Sequence, residues 1–175
     1  MVPSFDPLLV AGVASCSLEL FRAVPDLDAL YVPIGLGSGI CGAMAVRDAL
    51  GLRTRIVAVV AASAPAYARS LAAGRLISHD ATTRIADGMA CRIPNEQALD
   101  RIRRGIDHLV EVSDDEIEGA MRAIYDDTHN VAEGAGAAAI AALLAEKHLV
   151  AGRRVAAVVT GGNVDRDVFA EVLAG

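Results

Sequence analysis

Two kinds of apolar pattern alternate along this chain. Ala29-Leu30-Tyr31-Val32-Pro33-Ile34 and Arg55 to Ala61 (RIVAVVA) are short runs, apolar at nearly every position. Such runs mark strands covered on both faces, as in a parallel sheet. Leu109 to Val112 and Arg154 to Val159 read as two further strands. Between these runs, apolar residues recur every three to four positions, which predicts helices over Pro7–Val24, Pro65–Ala73, Asn95–Arg104, Glu133–Glu146 and Asp165–Leu173. A small-residue helix follows Gly39 to about Leu50, and another runs from Ser113 to about Asp127. Gly51, Gly74 and Gly105 stand where three of the helices should stop. Ser113-Asp114-Asp115-Glu116 has the form of a capping box, with acids at the positive helix end. Strands alternating with helices predict an α/β fold, a three-layer sandwich with a mainly parallel central sheet. Arg75 to Arg92 reads as a loop with a short extended piece around Ile85-Ala86-Asp87-Gly88.

Composition narrows this picture. The 175 residues suffice for one domain with a real core. Hydrophobic residues make up 54% but aromatics only 3%, so the apolar mass is Ala, Val, Leu and Ile, which suits helices packed closely on a sheet. The net charge of −6 and the lack of a basic stripe argue against nucleic-acid binding. Cys16, Cys41 and Cys91 are widely spaced and form no CxxC, which argues against a disulfide framework or a zinc site. Each is read as a small buried hydrophobe in a reducing cytoplasm. The Met1–Asp6 stretch lacks the basic and apolar regions of a signal peptide. The longest uncharged run, Ala29 to Val46, is broken by Pro33 and four glycines, which spoils it as a membrane helix. A soluble cytoplasmic protein is expected.

The chemistry concentrates at Val32-Pro33-Ile34-Gly35-Leu36-Gly37-Ser38-Gly39-Ile40-Cys41-Gly42. Glycines at a strand-to-helix turn leave backbone N–H groups uncovered, and the helix end adds partial positive charge, so the turn suits phosphate. Ser38 can add a hydroxyl donor. Gly37 to Gly42 also matches GxGxxG, but a dinucleotide site wants a ribose-binding acid near the end of the next strand. No carboxylate occurs between Arg55 and Pro65, so the NAD reading lacks its acid. A single phosphate, as in pyridoxal phosphate, needs only the compact cup.

Six motifs in order, PSFDP at Pro3, VPIGLGSGICG at Val32, IADGMA at Ile85, VSDDEI at Val112, VAEGAGAAA at Val131 and TGGNVD at Thr160, make the chain resemble the serine/threonine dehydratases among the fold type II pyridoxal-phosphate enzymes. The resemblance implies that the backbone of Gly35, Leu36, Gly37, Ser38 and Gly39 holds the cofactor phosphate. The usual loop is nearly all glycine. Leu36 is therefore expected to point away, and Ser38 to donate to a phosphate oxygen. Gly88 resembles the glycine beside the cofactor ring, with Asp87 capping or orienting that turn. Thr160 resembles the residue facing the pyridine nitrogen, where a neutral hydroxyl favours β-elimination. Glu133 is read as a helix cap and His129 as structural. Val60 stands where some members carry a metal-binding carboxylate, so no metal is expected there.

The resemblance further implies a small amino-acid substrate for the parent enzyme and an N-terminal, lysine-bearing portion. That portion is expected to be missing from residues 1–175. The only lysine is Lys147, in the helix-terminal Ala145-Glu146-Lys147-His148, a poor place for a catalytic amine. No residue of this chain is therefore expected to be catalytic. The chain is read as a single C-terminal, phosphate-binding domain of a dehydratase, inactive alone. The alternatives are a stand-alone phosphate-ligand module and one subunit of a split enzyme that pairs with a lysine-bearing partner. Apolar surface left uncovered should drive self-association.

Overall fold

The two uninterrupted apolar runs pair side by side at the centre of a four-stranded, all-parallel sheet. The computed structural model describes residues 5–175. The start of the PSFDP motif and most of the stretch read against a signal peptide lie outside the described residues. The strands are β1 (Ala29–Pro33), β2 (Arg55–Ala61), β3 (His108–Val112) and β4 (Val155–Ala157), in the order β3-β2-β1-β4. The register sets Tyr31 beside Val57 and Ala157, and Val60 beside Glu111.

The helices are α1 (Pro7–Ala23), α2 (Ser38–Ala49), α3 (Ala66–Ala73), α4 (Glu96–Gly105), α5 (Asp114–Thr128), α6 (Gly134–Ala145) and α7 (Arg166–Ala174). Alternate residues of each central strand face opposite layers. Leu30, Val32, Ile56, Ala58 and Val60 meet α1, α2, α3 and α4 through residues such as Phe21, Ile40, Tyr67 and Ile102. Ala29, Tyr31, Val57, Val59 and Ala61 meet α5, α6 and α7 through Ile117, Met121, Ala138 and Val172. This is the three-layer α/β architecture that the alternating pattern predicts. Val60 is an ordinary member of the first core.

Local signals explain most boundaries. Asp6 accepts a hydrogen bond from the Leu8 N–H and caps α1. Ser113 and Glu116 form both halves of the capping box at α5. Gly74 ends α3 in the left-handed conformation, at φ 66°. Three details differ from expectation. The fourth strand is trimmed to Val155–Ala157, although the Val158 N–H still reaches the Tyr31 carbonyl. The piece around Asp87 is a single 3-10 turn, Asp87–Met89, rather than extended. Cys16 is exposed, because α1 turns Val10, Ser17 and Phe21 inward, and Cys91 is only half-buried.

At the far end of α6 the buried Tyr31 hydroxyl donates to Glu146 at 2.7 Å. His108 meets the same carboxylate at 2.9 Å, tying β1 and β3 to the end of α6. Burial, with Glu146 beside it, pushes the Tyr31 phenol well above its ordinary range. Burial pushes the Cys41 thiol up to about 11 and raises the Tyr67 phenol as well. The stability carried by these neutral groups is fully present below their unfolded values and is lost as pH rises through the folded ones. Stability should therefore hold level through neutral pH and fall between roughly pH 9 and 11. Urea melts across that range check this, and a stability that rises there contradicts it. A thiol-alkylating reagent should label Cys16 before Cys41 and Cys91, because Cys16 is the exposed one of the three.

Candidate functional site

The chain leaves β1 still pinned, because the Ile34 N–H bonds the Val59 carbonyl at 2.8 Å. It then runs through Gly35, Leu36 and Gly37 and enters α2 at Ser38. The N–H groups of Gly35, Leu36 and Gly37 have no acceptor among the described residues. Those of Ser38, Gly39 and Ile40 are also without an acceptor among the described residues, since the first bond back from the helix is Cys41 N–H to the Gly37 carbonyl, at 3.1 Å. Six consecutive donors thus sit at the positive end of a twelve-residue helix, with no side-chain cap competing for them. Gly37 makes the turn at φ 103°, which a side chain rarely adopts. Leu36 lodges its side chain against the core of the first layer, so it does point away. The Ser38 hydroxyl finds no partner among the described residues.

The other predicted residues gather at the same end of the sheet. A Cβ on Gly35 would lie 2.5 Å from the Gly88 carbonyl oxygen, so the loop and the Asp87–Met89 turn are in backbone contact. A Cβ on Gly88 would in turn lie 3.0 Å from Ala135, in the first turn of α6. Thr160 follows β4 and is exposed, beside a cavity of about 470 Å³ lined by Ile124, Val131, Ile140 and Val159. The glycine loop leaves β1 and Thr160 leaves β4. The order β3-β2-β1-β4 reverses between those two strands, so the site lies at a topological switch point, outside the carboxyl ends of the strands.

Three supporting side chains were not anticipated in these roles. Glu133 opens α6, but its carboxylate does not cap that helix. It accepts from the Asn163 N–H at 3.1 Å, while its own N–H bonds the Gly161 carbonyl. It therefore staples the Thr160–Asn163 turn to α6. Asp114, read only as a first-turn acid, accepts from Ser63 Oγ, Thr83 Oγ1 and the Arg84 N–H. It anchors the segment leading to Gly88. Tyr67 bonds the glycine loop itself. Only the TGGN and DDEI motifs hinted at the first two, and nothing local marked Tyr67.

His129 closes α5 at φ 57°, with Nδ1 against the Tyr125 carbonyl, which accounts for it structurally. Lys147 is exposed just beyond the end of α6. The site faces the start of that helix, and twelve residues span about 18 Å, so the lysine stands at the opposite end. No group of three His, Cys, Asp or Glu among the described residues could hold a metal ion. No helix among them is long and apolar enough to cross a membrane.

A glycine turn with uncovered N–H groups, running from strand to helix at the switch point of a parallel sheet, is a geometry of cofactor-binding α/β proteins. The model of the pyridoxal-phosphate dependent enzyme family matches residues 1–161, and the chain belongs to that family. An L-threonine ammonia-lyase of Thermotoga maritima is 30% identical over 171 residues, 98% of this chain and 42% of that protein. A beta-hydroxyaspartate dehydratase of Paracoccus denitrificans is 34% identical over 165 residues, 94% of this chain and 52% of that protein. The processed form of threonine deaminase isoform 2 from Solanum lycopersicum superposes with a TM-score of 0.93 at 29% identity, over 99% of this chain and 52% of that one. The chain thus spans about half the length of these relatives.

Proposed function

We propose that residues 1–175 are the cofactor-phosphate-binding part of an ammonia-lyase that converts a hydroxy amino acid, threonine or serine, to a 2-oxo acid and ammonia. The observation that carries this reading is the run of six N–H groups from Gly35 to Ile40, unpaired among the described residues, at the start of α2, with Gly88 in backbone contact with Gly35. These groups fit pyridoxal phosphate. A Cβ on Gly35 would strike the Gly88 carbonyl and one on Gly37 would strike Ala98, so glycine at both positions keeps the loop in this shape, and no acceptor among the described residues claims its N–H groups. When bound, the cofactor supplies the electron sink for loss of the Cα proton and the β-hydroxyl.

The chain's own residues divide the remaining work. The backbone of Gly35, Leu36, Gly37, Ser38 and Gly39, with the Ser38 hydroxyl, holds the phosphate. Gly88 lies beside the ring. The Thr160 hydroxyl meets the ring nitrogen as a neutral partner, and Glu133 holds the turn that presents it. The amine that moves the proton is not Lys147. It belongs to a lysine-bearing portion that packs against this site, so residues 1–175 bind the cofactor and do not turn over alone.

The test is to incubate this chain with pyridoxal phosphate and threonine or serine, reduce with borohydride, and map any adduct. Expected are binding without an adduct at Lys147, and no 2-oxo acid. A reducible adduct at Lys147 accompanied by turnover contradicts the reading.

A further inference from the structure

The glycine loop is braced from beneath by one side chain. Tyr67, on α3, is 1% exposed. Its hydroxyl donates to the Leu36 carbonyl oxygen at 2.7 Å and accepts from the Asn95 N–H at 3.3 Å. Asn95 caps α4 through the Ala98 N–H. Ala98 and the Tyr67 hydroxyl are also the atoms that a Cβ on Gly37 would meet, at 2.9 and 3.2 Å. The start of α4, Tyr67 and the loop therefore form one packed unit.

The direction of that hydrogen bond matters. The Leu36 carbonyl and the Gly37 N–H belong to one planar trans peptide, so they point to opposite sides of it. Drawing the carbonyl down onto the buried hydroxyl turns the N–H up, away from the core. The same bond satisfies a carbonyl whose oxygen would otherwise face an incoming anion. An apolar residue at 67 would leave this peptide free to rotate.

We propose that Tyr67 is a positioning residue for the anion cup, setting the orientation of the Leu36–Gly37 peptide so that the Gly37 N–H is presented to phosphate. This rests on the cup reading of Gly35 to Gly39. Tyr67 touches no ligand and acts only through the loop.

The test compares the chain with Tyr67→Phe by amide NMR, titrating each with inorganic phosphate. The original chain should bind, with shifts at Gly35 to Gly39. Tyr67→Phe should show a displaced Gly37 amide before any phosphate is added, and an affinity about five- to tenfold lower. Equal affinity with an unmoved Gly37 amide overturns the role of Tyr67 while the cup stands, even if the melting temperature falls. No shifts at Gly35 to Gly39 in the original chain overturn the cup, and the inference with it. Should Tyr67→Phe fail to fold, the Tyr67 hydroxyl proton of the original chain serves instead. It should exchange slowly and move when phosphate is added, and a fast-exchanging, unmoved proton overturns the inference.

Discussion

Gly136→Ala should destabilise this protein, although the same change in an ordinary helix stabilises it. Gly136 is the third residue of α6, where alanine carries an intrinsic advantage of about 1 kcal/mol over glycine. A Cβ there would overlap the carbonyl oxygen of Gly161, in the turn that follows Thr160. The neighbour is backbone, itself held by the bond from the Glu133 N–H to that same carbonyl. Neither partner can swing aside as a side chain would. Overpacking of this kind costs about 1–3 kcal/mol and here opposes the helix gain. The expected net loss is up to about 2 kcal/mol, which lowers the melting temperature by up to several degrees in a chain of this size. Thermal melts settle the sign, and a melting temperature that rises contradicts the close packing of α6 against the turn.

Gly37→Ala should have the larger effect on binding. Gly37 sits at φ 103° and ψ 0°, where an L side chain is strained by about 1–3 kcal/mol. The new methyl would also press on Ala98 and the Tyr67 hydroxyl beneath the loop. The chain can relieve both only by rotating the peptides on either side of residue 37, and those peptides carry the donors. Affinity for pyridoxal phosphate should therefore fall by at least about tenfold, alongside the loss of stability. A calorimetric titration of the variant checks this. Gly12→Ala is the control, because a Cβ at Gly12 meets nothing within 4 Å and its backbone is helical, in α1. Equal loss in both variants would mean that conformation at residue 37 is not what shapes the cup.

These effects trace what the sequence made legible and what it did not. The alternation of solid apolar runs with three-to-four spacing gave the layers, because burial on two faces leaves no polar alternation in a strand. Asp6, Ser113 and Gly74 marked helix ends through bonds and dihedrals local to a few residues. The glycine loop was legible for the same reason, since its chemistry is backbone chemistry within eight residues. Contacts distant in sequence were hidden. Glu133 looks like a helix cap until Asn163, thirty residues later, is found at its carboxylate. Tyr67 looks like any core aromatic until Leu36 and Asn95 meet at its hydroxyl. Cys16 was misjudged because composition says what a cysteine prefers and not which face of α1 it occupies. The strand order, which sets the loop and Thr160 on either side of the switch point, is a property of the whole sheet.

The central claim, that the start of α2 holds the phosphate of pyridoxal phosphate and Thr160 faces its ring, is tested most directly by a crystal structure of the chain grown with that compound. The expected result is a phosphate within hydrogen-bonding distance of the N–H groups of Gly35 to Gly39, with the pyridine nitrogen at the Thr160 hydroxyl. A phosphate held instead by surface arginines such as Arg153 and Arg154, with the glycine loop empty, would contradict it.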